Sequence, residues 1–151
     1  MKENKNSSHY PTCKCEVCRM GIDAYRKKEV DLIEQFGFVT RFITDDYKCP
    51  FGINYCTHGL YRTFKHPNLQ ICFQIDARIA HDLFHIVVNM IRDGKKFVAG
   101  KKYSGIAEGY NTEFIDAIEN GRPVLRMLIP DKDGTYSEPI FSKQLKMLDN
   151  S

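Results

Sequence analysis

Residues Gly52 to Leu69 read GINYCTHGLYRTFKHPNL. The β-branched and aromatic run from Ile53 to Leu60 predicts a strand interrupted by Gly59. His66-Pro67-Asn68 is loop chemistry, because the residue before a proline avoids the α region. A second strand is expected from Leu69 to Ile75. Two Tyr, two His, one Cys, one Arg and one Lys are packed among the apolar residues of this stretch. Ordinary core strands do not need so many titratable groups, so the segment is also the leading candidate for a functional centre.

Outward from it, Asp76 is a good N-cap for a helix over Ala77–Arg92. Ala80, Leu83, Phe84, Val87 and Ile91 form its apolar stripe; Arg78, His81, Asp82, His85, Asn89 and Arg92 lie opposite. Upstream, Ile22, Tyr25, Val30, Ile33 and Phe36 recur at helical spacing, with Gly37 as the terminating residue. Further strands are expected at Phe38–Ile43, Lys101–Ala107, Glu113–Ile118 and Pro123–Ile129. A turn at Asp131–Gly134 and a hairpin arm at Thr135–Phe141 would follow. Repeated βαβ units are not evident. The expectation is one α+β domain over residues 22–141, with a mainly antiparallel sheet of five to seven strands and two principal helices. Residues 1–21 form a polar, cysteine-rich N-terminus, and residues 142–151 a polar tail.

The chain has 151 residues, 42% of them hydrophobic, and a net charge of +3. That is enough apolar matter for a real core and too little charge to imply nucleic-acid binding by itself. No apolar run approaches the roughly 20 residues of a membrane span. The polar start MKENKNSSHY lacks the apolar region of a signal peptide, so a cytoplasmic location with reduced thiols is expected. Homo-oligomerisation is left open.

Six cysteines in such a setting point to metal. His9, Cys13, Cys15 and Cys18 have the short spacings that let one loop supply several tetrahedral zinc ligands. Cys49, Cys56, His58 or His66 are alternative fourth ligands. A closed site there would be structural. A second constellation is Tyr55, His58 and His66. Tyr55 and His58 should point to opposite faces of their strand, since their separation is odd. His58 and His66 could converge as metal ligands or as an acid/base pair. Cys56 near His58 has a nucleophilic reading, and a simpler one as a small buried residue.

Two further patterns fail on inspection. His81 and His85 lack the Glu of a zincin motif. Gly94 to Tyr103 evokes a P-loop, but its glycine spacing is one too long and it follows a helix instead of opening one. Lys101, Lys102 and Tyr103 could still meet an anion.

Four signposts in order carry a resemblance: Gly37-Phe38-Val39, the run Tyr55 to Leu60, His66-Pro67-Asn68-Leu69, and Ile129-Pro130-Asp131 through Gly134. From Gly37 to about Gly134 the chain resembles the bacterial four-two-six-two domain of unknown function. The cysteine-rich N-terminus looks like an extension found in a subgroup. The resemblance implies a small cytosolic bacterial or phage protein and transfers no catalytic residues.

The leading functional expectation is a small-molecule or anion-binding domain, with Tyr55, His58, His66, Lys101 and Tyr103 as its lining and a structural zinc at the N-terminus. One alternative is a metal-dependent hydrolase using His58 and His66. Another is an interaction module for a protein or nucleic acid.

Overall fold

The computed structural model describes residues 16–44, 53–119, 121–130 and 144. A short helix α1 (Glu16–Met20) leads into α2 (Ile22–Phe36). The strands β1 (Val39–Thr44) and β2 (Ile53–His58) follow, then a one-turn helix α3 (Leu60–Phe64) and β3 (Asn68–Ile71). The chain continues through α4 (Ala77–Arg92), β4 (Lys102–Ala107), β5 (Tyr110–Glu119) and β6 (Arg122–Met127). The six strands form one sheet in the order β1-β2-β3-β6-β5-β4. Every neighbouring pair is antiparallel except β3 and β6. This is the expected α+β architecture, and the parallel junction has a cause in the connections. Between β3 and β6 the chain builds α4 and the β4–β5 hairpin, and β6 then enters beside β3 in the same direction.

The α4 helix matches its expected span. Asp76 caps it, its carboxylate accepting from the Arg78 N–H at 2.8 Å. Ala80, Leu83, Phe84, Val87, Val88 and Ile91 are buried. They pack with Tyr55, Leu69, Ile71, Phe114, Leu125 and Met127 of the sheet and with Phe97. Removing these side chains from water is the main source of stability for the domain.

The opposite face is different. Residues paired in register across strands point to the same side of a sheet. One row runs Arg41, Cys56, Gln70, Arg126 across β1, β2, β3 and β6. Cys56, Gln70 and Arg126 are fully buried in it. The α2 helix serves this polar row, which corrects the expected apolar stripe. Its one buried residue is Glu29, whereas Val30 and Phe36 are 42% and 50% exposed. Glu29 turns inward because Arg41 needs a partner: Arg41 Nε donates to Glu29 Oε2 at 2.9 Å and Nη2 to Oε1 at 2.6 Å.

The helix is seated by Gly59, whose φ of 102° lies in the left-handed region. A Cβ there would stand 2.8 Å from Ile33 Cγ2 of α2. A glycine is needed both for the backbone and for the contact. The end of β2 was expected to continue to Leu60; the Gly59 turn stops it at His58 and starts α3. The expected turn at 131–134 and arm at 135–141 lie outside the described residues.

Candidate metal centre

On the polar face, Cys56 and His58 are two residues apart on β2, so both side chains share a side. Glu119 ends β5 and reaches them from across the sheet. The Cys56 Sγ to His58 Nε2 distance is 3.3 Å, and His58 Nε2 to Glu119 Oε1 is 3.7 Å. One donor atom from each of the three residues lies within 4.8 Å of the others. In a tetrahedral zinc site with ordinary Zn–S, Zn–N and Zn–O lengths, neighbouring donors are roughly 3.3–3.6 Å apart. The observed spacings are close to that.

The same geometry argues against a thiol nucleophile. A base that activates a cysteine uses one ring nitrogen for the thiol and has the other oriented by a third group. Here the thiol and the carboxylate approach one nitrogen, Nε2. Cys56 is also fully buried. Burial, reinforced by the Glu119 carboxylate, pushes its thiol well above the ordinary value. Such a thiol is not a ready thiolate. Burial, aided by the Arg41 charge, lowers His58 to about 4. A neutral imidazole does not form an ion pair with Glu119, and it is the form that ligates metal.

The glutamate is held from behind. Gln70 Nε2 donates to Glu119 Oε2 at 3.4 Å, and Arg126 Nε donates to Gln70 Oε1 at 2.9 Å. Arg126 Nη1 also donates to the Gln144 carbonyl at 2.5 Å. The Gln144 amide then clips both polar groups of the Ile129 backbone, at 2.8 and 2.6 Å. Chains of this kind fix the orientation of metal-binding carboxylates.

In front, the site opens. A cavity of about 300 Å³ is lined by His58, Glu119, Arg41, Asn68 and Arg122. It adjoins a second, of about 460 Å³, that shares His58, Arg41, Asn68 and Arg122 and adds Arg26 and Arg62.

Of the five residues expected to line the pocket, only His58 belongs here, beside Cys56, which the sequence offers as an alternative zinc ligand. Tyr55 faces α4, stacks on Phe42 and donates its hydroxyl hydrogen to the Ile75 carbonyl. The odd separation does place it opposite His58. His66 is buried, and both its nitrogens are engaged: Nδ1 with the Pro67 carbonyl at 2.8 Å, and Nε2 with the Phe97 N–H at 3.1 Å. It therefore has no lone pair to offer a metal, which removes the His58–His66 pairing. Tyr103 packs on Phe97 and Phe114, and its hydroxyl accepts from the Val98 N–H. Lys101 is exposed just before β4. The five residues expected to line one pocket thus do not converge. Cys18 is exposed on α1, while His9, Cys13 and Cys15 lie outside the described residues.

Glu119 was missed by sequence reasoning. The available signal was indirect: Gln70 and Arg126 are strongly polar residues in the middle of apolar strands, and both support it.

No helix among the described residues is long and apolar enough to cross a membrane. No curated protein and no solved structure shows significant similarity to the chain. Residues 32–122, which include the whole polar row except Arg126, match the model of Domain of unknown function (DUF4262), and the chain belongs to that family.

Proposed function

We propose that this domain holds one zinc-class divalent ion through Cys56, His58 and Glu119, and uses it to bind and polarise a small ligand. The observation that carries this reading is the convergence of three chemically different donors, two of which, His58 and Glu119, line an open cavity. Structural zinc sites are closed by four protein ligands, whereas working sites keep three and leave a position to water or substrate. A bound ion would supply Lewis acidity and a more acidic water at that position. The protein's own part is to keep the carboxylate aimed, through Gln70 and Arg126, and to exclude water from the Cys56 side.

The test is metal content per chain by elemental mass spectrometry, on untagged protein prepared without chelator. One zinc equivalent is expected. It should be lost in Cys56→Ser and Glu119→Gln, and retained in a Cys13→Ser/Cys15→Ser double variant. Retention in the first two with loss in the third would move the metal to the N-terminal cysteines.

A further inference from the structure

We infer that the groove in front of Cys56, His58 and Glu119 is a binding site for a phosphate-type dianion, such as a small phosphate monoester. The inference rests on the metal reading and adds the class of ligand to it. Arg26, Arg41, Arg62 and Arg122 line the two adjoining cavities, against Glu29 and Glu119. Glu29 is committed to Arg41 through a bidentate pair, and Glu119 to the proposed ion. Among the described residues, the ion-pair partner of Arg62 is Glu34, an exposed contact at 3.5 Å, which is weak. Arg26 and Arg122 form no salt bridge among the described residues. Among the described residues, the groove therefore carries more arginines than acidic partners.

Its polar lining is also set for an acceptor-only ligand. The Asn68 Oδ1 is taken by the Leu60 N–H and the Thr57 hydroxyl, each at 3.2 Å. Its amide NH₂, a donor, is what remains for the cavity. Arginines brought from α2, β1, α3 and β6 approach from several directions. That suits a tetrahedral oxyanion with three free oxygens better than a planar carboxylate, which one guanidinium satisfies edge-on. The size of the paired cavities suits a small molecule.

The experiment is calorimetric titration of inorganic phosphate, and of malonate as a dianionic carboxylate, into the full chain with and without one equivalent of zinc. Saturable one-to-one phosphate binding is expected. It should weaken about tenfold or more in Arg122→Gln, an exposed residue outside the metal donors, with zinc content unchanged. An Arg62→Gln variant should weaken binding in the same direction. Zinc retained, with phosphate affinity absent or unaffected by both variants, overturns the anion site and leaves the metal centre standing. Malonate binding as tightly as phosphate overturns the ligand class. If zinc does not bind, the metal reading fails. The zinc-free titration then still decides the groove: arginine-dependent phosphate binding supports it, and none overturns it.

Discussion

Arg126 donates through Nε to Gln70 Oε1 at 2.9 Å, with both side chains fully buried on adjacent parallel strands. A buried guanidinium whose Nε loses its acceptor is costly, even with Nη1 still bonded to the Gln144 carbonyl. Gln70→Leu should therefore lower stability by about 2–3 kcal/mol, read by urea denaturation. The Arg126→Met/Gln70→Leu double variant should recover part of that, since it removes the under-paired guanidinium while the Gln144 carbonyl and the Glu119 carboxylate each lose a donor. A double variant as unstable as the single one would show that the pair is not the unit. Metal affinity should fall in both, because Glu119 loses its support from Gln70.

Zinc should stabilise the domain by mass action. With free zinc at about a hundred times its dissociation constant, the gain is about 2.7 kcal/mol, seen as a higher melting temperature that chelator reverses. His58→Ala should abolish the zinc-dependent shift while leaving the zinc-free melting temperature little changed. A shift that survives His58→Ala would exclude His58 as a ligand.

The stability should also depend on His66. Because the Phe97 N–H donates to Nε2, the ring proton sits on Nδ1, and a second proton has no place. Burial accordingly lowers the His66 pKa below its ordinary value. The unfolded chain then takes up this proton first as pH falls. The His66 contribution is complete above the unfolded value of about 6.5 and is lost as pH falls through the folded value. His58 and His85 are lowered as well and act in the same direction. The diagnostic is thus a difference: unfolding free energy should fall less steeply below about pH 6.5 in His66→Gln than in the parent. Equal slopes would mean that His66 is not held neutral.

Gly59→Ala combines a left-handed backbone with a Cβ 2.8 Å from Ile33. The loss should be about 1–3 kcal/mol. Adding Ile33→Ala should relieve the steric share and leave the backbone share, which a thermodynamic cycle separates.

Much of this architecture is legible in local sequence. The span of α4, its Asp76 cap and its apolar stripe follow from periodicity and capping chemistry, which act within a few residues. The opposite facing of Tyr55 and His58 follows from the period of a strand. What locality does not contain is the partner of each strand. Cys56 meets Gln70 fourteen positions on, and Gln70 meets Arg126 only because α4 and the β4–β5 hairpin carry the chain around to a parallel junction. Glu119 reaches His58 by the same route, so the candidate metal centre exists only in the register of the sheet. His66, by contrast, carries the chemistry of a ligand in sequence and loses it in the fold, where backbone groups occupy both nitrogens. Local pattern determined the elements; long-range pairing decided which polar side chains share a face, and with them the site.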